Sequence, residues 1–113
     1  MTFTPHSELT EAEVTETVER TIAESDVAVF MKGTRTFPQC GYSQRAVQLI
    51  GQYTDDFADV DTLPALDTFR GALAAHSGWE TIPQVFVDGE FIGGSDIVAE
   101  LDERGELEPM LTA

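Results

Sequence analysis

The chain has 113 residues and is 42 % hydrophobic, the size of one domain around one packed core. It carries 21 acidic residues against 6 basic ones, a net charge of −15, which repels phosphate backbones and anionic lipids and so excludes nucleic acid and membrane as direct partners. No apolar run approaches the roughly 20 residues of a membrane span, and the opening stretch MTFTPHSELTEAE has neither the basic region nor the apolar stretch of a secretory signal.

In chain order, Thr10 and Glu13 form a capping box, and Val14, Val18, Thr21 and Ile22 recur at helical spacing, which predicts a helix over 10–25. Val27 to Met31 is a continuous apolar run, expected as a strand buried on both faces. A loop punctuated by Gly33 and Pro38 follows, then a second helix over 42–53 with Ala46, Val47, Leu49 and Ile50 inward. Phe57, Ala58 and Val60 suggest a second strand, interrupted by Asp59 and Asp61. Asp61 and Thr62 are expected to cap a third helix through residue 75, with Pro64 in its first turn. Residues 84–87 and 90–92 read as two strands joined by the hairpin signal Asp88-Gly89. Ser95 and Asp96 are expected to cap a helix to Arg104, which Gly105 stops, and a short helix over 106–111 ends the chain. A helical crossover implies parallel pairing of the first two strands and the hairpin implies antiparallel pairing of the last two. The expected fold is α/β: a thioredoxin-like, four-stranded mixed sheet flanked by helices, in a single domain with its core over about 10–111.

The acidity could belong to a disordered chain, but 9 % aromatic residues and the apolar pattern speak for a folded one. A salt-rich (halophilic) cytoplasm accounts for it better, because near 1 M salt the Debye length shrinks to about 3 Å and carboxylates no longer repel at long range. Dilution into low salt is therefore expected to lower the melting temperature; a Tm indifferent to salt would overturn the salt-adapted reading.

The chemistry centres on Cys40, the only cysteine. No internal disulfide is possible, and a reducing cytoplasm is the expected compartment. Cys40 falls where loop gives way to helix, where free N–H groups and the helix dipole favour a thiolate. Lys32, the only lysine, opens the same loop and would lower the thiol pKa further. Ser43 occupies the place of a resolving thiol, three residues on, so Cys40 must pair with another molecule or ligate a metal. A [2Fe–2S] cluster wants four external ligands, usually thiolates. Two chains supply two, and two small-molecule thiols complete the set. His6 and His76 lack partners at metal spacing and read as solvated or capping residues.

Three strings, MKGT, FPQCGYS and WETIPQVFVDGEFIGGSDI, closely resemble the single-domain monothiol glutaredoxin family in order and spacing, over about residues 10–111. The resemblance implies that Cys40 is the catalytic and cluster-ligating cysteine. It implies that Lys32 and Arg70 hold the glycine carboxylate of glutathione, and that the backbone at Ile82, before a cis Pro83, pairs with the bound thiol's peptide. Ser95 and Asp96 would hold the γ-glutamyl end, with Gly93-Gly94 allowing close approach. Tyr42 stands for the phenylalanine of the usual CGFS and packs beside the site; Ser95 replaces a cysteine common in relatives, and Glu80 a proline. On the residues alone, Arg70 also reads as a solvated helix charge, Asp96 as an N-cap, residues 81–83 as a turn, and Trp79 as packing.

The expected function is a cluster-bridged homodimer that serves iron–sulfur assembly and iron homeostasis, delivering [2Fe–2S] to recipient apoproteins and pairing with a BolA-like protein. Its thiol is glutathione or another γ-glutamyl thiol; γ-glutamylcysteine would lack the carboxylate that Lys32 and Arg70 bind. The alternative is an enzyme, a monothiol oxidoreductase that removes glutathione from mixed disulfides through Cys40. A third reading is a partner-binding module without chemistry.

Overall fold

The computed structural model describes residues 9–112; His6 lies outside them. Helix α1, Glu11–Glu24, starts at the expected capping box: the Thr10 hydroxyl accepts the Glu13 N–H at 3.1 Å, and the Glu13 carboxylate accepts the Thr10 N–H at 3.0 Å. Val14, Val18 and Ile22 form its buried stripe. Strand β1, Val27–Met31, is buried at every position, as a continuous apolar run requires.

Four strands form one sheet in the order β2-β1-β3-β4, with β2 at Ala58–Asp61, β3 at Gln84–Val87 and β4 at Glu90–Gly93. β1 is parallel to β2, with Ala28 opposite Ala58, and antiparallel to β3, with Val29 opposite Val85. β3 and β4 are the antiparallel hairpin, and a register irregularity falls between Val85 and Phe86. Because strand side chains alternate, β1 feeds two cores. Val27, Val29 and Met31 pack with Val47 and Ile50 of α2 (Gly41–Gly51), Val98 of α4 (Ser95–Glu103) and Leu107 and Leu111 of α5 (Leu107–Thr112). Ala28 and Phe30 face α1 and the residues Phe69 and Leu73 of α3 (Leu66–Ser77). There Phe30 meets Phe86 edge-on at 5.7 Å between ring centres, a favoured aromatic geometry.

Three boundaries differ from expectation. Helix α2 begins at Gly41, so Cys40 is its N-cap residue. Thr62 does not cap α3 with its side chain: it is fully buried and its hydroxyl donates to the Met31 carbonyl at 2.9 Å, while a 3-10 turn over Leu63–Ala65 precedes the helix. Ser95 and Asp96 do not cap α4 either. Gly94 is the N-cap, no side chain bonds there, and both residues lie inside the first turn.

Candidate functional site

The loop after β1 folds back on itself before reaching Cys40. The Lys32 carbonyl accepts the Gln39 N–H at 2.9 Å, and Gly33 bridges to Pro38. Gly33 has φ +90°, and a Cβ there would sit 2.4 Å from the Phe37 carbonyl oxygen, so only glycine closes this turn. The edge strand β2 then ties the loop down. Asp61 accepts the Gly33 N–H at 2.9 Å; Asp59 accepts the Arg35 N–H at 2.9 Å and its Nε–H at 3.1 Å. The Arg35 guanidinium lies 3.8 Å over the Phe57 ring and donates to the carbonyls of Asp55 and Phe57. The two aspartates that interrupt β2 as a sequence pattern are thus the anchors of the cysteine loop.

Cys40 is half-buried, at the start of α2. The backbone N–H of Ser43, free in the first helical turn, does most to hold its thiol below the ordinary range. Partial burial pushes the other way, while the Tyr42 N–H, the Ser43 hydroxyl and, least, the Lys32 ammonium reinforce the thiolate. Ser43 is fully buried, and its Oγ accepts the Lys32 N–H at 3.0 Å. The residue in the place of a resolving thiol therefore fastens the loop to the helix.

A groove of about 340 Å³ opens beside this helix start. Tyr42 forms one wall, residues 79 and 81–83 another, and residues 94–97 at the start of α4 the third. The Ile82–Pro83 bond is cis. Buried Gln84 holds the second wall: its Nε2 donates to the carbonyls of Trp79 at 2.7 Å and Thr81 at 3.0 Å. The second and third walls touch closely, since a Cβ on Gly94 would lie 3.0 Å from the Pro83 carbonyl oxygen. Trp79 leans on Phe91 at 5.9 Å and is 53 % exposed, and Tyr42 is 64 % exposed. A larger hollow of about 510 Å³ lies between α1 and α3, on the other face of the sheet.

The Glutaredoxin family model matches residues 27–92, more than half of the chain, from β1 into β4. The chain belongs to the glutaredoxin family. It is 55 % identical over 83 residues to the probable monothiol glutaredoxin GrlA of Legionella pneumophila, covering 74 % of this chain and 92 % of that one. Its structure superposes on the holo form of glutaredoxin C1 from Populus tremula x tremuloides with a TM-score of 0.73 at 33 % identity, covering 87 % and 94 % of the two chains. On a buckwheat glutaredoxin–glutathione complex the TM-score is 0.77 at 29 % identity, with 90 % of each chain covered. The fold is accordingly the thioredoxin-like fold of glutaredoxins.

Within this glutaredoxin, Tyr42, Ile82, Pro83, Ser95 and Asp96 come together around the groove. Cys40 and Lys32 share the loop–helix junction next to it. Arg70 is on α3, paired with Asp67 at 3.1 Å and outside the groove lining. Trp79, read as packing from sequence, is a groove wall. His76 is exposed, with Nε2 4.0 Å from a Glu19 oxygen. Among the described residues no group of three or more His, Cys, Asp or Glu is placed to hold a metal. No helix among them is long and apolar enough to cross a membrane.

Sequence reasoning missed two residues. Gln84 is the lone polar residue of the run PQVFV, and an amide inside a strand buried on both faces was a readable signal of a structural hydrogen bond. Arg45 carried no such signal. It looks like an ordinary solvated helix charge, yet its Nη1 lies 3.6 Å from a carboxylate oxygen of Asp96, which lines the groove, although Arg45 itself is not among the lining residues.

Proposed function

We propose that the chain is a monothiol glutaredoxin that carries a [2Fe–2S] cluster between two subunits and delivers it to recipient apoproteins, with a BolA-like protein as a second partner. The observation that carries this reading is the donor set: one half-exposed, thiolate-favouring Cys40, no second cysteine, and a groove beside it. That set fits one cluster ligand per chain. Two chains and two borrowed thiols make four, the number an iron–sulfur cluster uses. When bound, the cluster supplies iron and sulfide as cargo; the chain supplies a thiolate and holds the borrowed thiol.

The groove's dimensions and walls suit an extended γ-glutamyl thiol, glutathione or a shorter relative. In this reading the backbone at Ile82 and Pro83 pairs with the thiol's peptide, Tyr42 packs over it, and Ser95 and Asp96 take the γ-glutamyl end. Lys32, and Arg70 once released from Asp67, take the far carboxylate. The Arg70–Asp67 pair is solvent-facing, with Asp67 96 % exposed, and pairs of this kind open at little cost. Similarity to a glutaredoxin in complex with glutathione supports the same assignment.

Anaerobic reconstitution with iron, sulfide and glutathione, followed by visible spectroscopy and sizing, tests the proposal. The parent is expected to turn coloured and dimeric, and Cys40→Ser to stay a colourless monomer. A colourless parent overturns the reading. Turnover of a glutathionylated peptide at the rate of a two-cysteine glutaredoxin would rank the oxidoreductase function above it.

A further inference from the structure

The glutaredoxin has six basic residues; Lys32 stands at the start of the cysteine loop, and the partners of the five arginines divide them. Arg20, Arg70 and Arg104 pair with acids within their own helix or just past its end. Arg35 is fixed over Phe57. Arg45 is different: it reaches from α2 to Asp96 on α4, at 3.6 Å, with the two side chains 52 % and 84 % exposed. Exposed pairs of this kind add little to stability, so parting them to admit a ligand costs little.

We propose that Arg45 and Asp96 together read an α-amino-acid group on the bound thiol, Asp96 taking its ammonium and Arg45 its carboxylate. This rests on the γ-glutamyl-thiol reading above and assigns Arg45 as a further binding and specificity residue for that site. An α-amino-acid group carries its two charges on a single carbon, and an adjacent cation and anion match it in alternating order. Asp96 alone would favour any amine. On a chain of net charge −15 the surrounding potential opposes a carboxylate, and a local guanidinium offsets that with donors shaped for a carboxylate. The pair therefore selects thiols with a zwitterionic γ-glutamyl end and rejects thiols without one, such as coenzyme A.

The test titrates the reduced protein with glutathione and two analogues, following chemical shifts at fixed salt. 4-Aminobutanoyl-cysteinyl-glycine keeps the ammonium without the carboxylate; glutaryl-cysteinyl-glycine keeps the carboxylate without the ammonium. The parent is expected to bind each analogue about tenfold more weakly than glutathione. Arg45→Ala should bind glutathione about tenfold more weakly than the parent and no longer tell it from the 4-aminobutanoyl analogue, while still rejecting the glutaryl one. Arg45→Lys should recover part of the loss. An Arg45→Ala protein that keeps the parent's preference for the carboxylate, or binds glutathione more tightly, overturns the assignment. A parent that binds none of the three overturns the γ-glutamyl reading itself, which separates the two failures. Arg45 is exposed, so an unchanged circular dichroism spectrum is expected of both variants.

Discussion

Gly93→Val is expected to cost about 3 kcal/mol or more of stability, from side-chain overpacking and an unfavourable backbone region together. Gly93 ends β4 at φ +135°, and a Cβ there would lie 2.4 Å from the Cβ of Ile97. The obstacle is the branch point of a side chain at the start of α4, not the far end of a flexible one. Relief would require moving the helix start that carries Ser95 and Asp96. A loss of that size is a large part of the roughly 5–15 kcal/mol that holds a small domain together. Urea unfolding measures it. Gly41→Ala is the control, because its Cβ meets nothing within 4 Å, and its midpoint should stay near the parent's. A Gly93→Val midpoint equal to the parent's would show that β4 and α4 do not pack as described.

The second large effect concerns the Cys40 thiolate. Alkylation by iodoacetamide follows the thiolate, so the rate should rise with pH through an inflection below the ordinary thiol value of about 8.5. Ser43→Ala should raise that inflection more than Lys32→Gln does. Neither should restore the ordinary value, because the backbone N–H of residue 43 remains in both. Ser43→Ala should also cost about 1–3 kcal/mol, since the Lys32 N–H loses its acceptor in a part-buried place. The linkage has the sign of any acid whose pKa falls on folding. The thiolate's contribution to stability is complete above the unfolded thiol's pKa and is lost as pH falls through the folded one. If Lys32→Gln alone moved the inflection to that of an ordinary thiol, the lysine would outrank the helix N–H groups.

Much of this was legible in the residues. The capping box at Thr10, the continuous run from Val27 to Met31 and the Asp88-Gly89 hairpin are local signals that the fold did not override. Cys40 was legible too, since a helix start was readable around it. What local pattern could not show is how polar residues are spent over distance. Asp59 and Asp61 looked like damage to a strand because their partners, Arg35 and Gly33, are 24 and 28 residues away in sequence. Thr62 looked like a cap because its bond to Met31 crosses the sheet. Ser95 and Asp96 looked like caps because serine and aspartate usually are, whereas Gly94 takes that place against Pro83. The supports of the thiolate keep the order that the sequence suggested, helix-start N–H groups before Lys32, and the lysine contributes least of them.

The loop that presents Cys40 is anchored by groups that no ligand needs to displace: Asp59 and Asp61 from β2 and the Ser43 hydroxyl from α2. Its shape is preorganised. Whatever Cys40 takes up therefore does not spend binding energy on ordering the chain around it, and whatever it releases leaves no collapsed loop behind. Loading and unloading then differ mainly in the bonds to sulfur and the contacts in the groove. Such a site suits reversible exchange better than permanent retention.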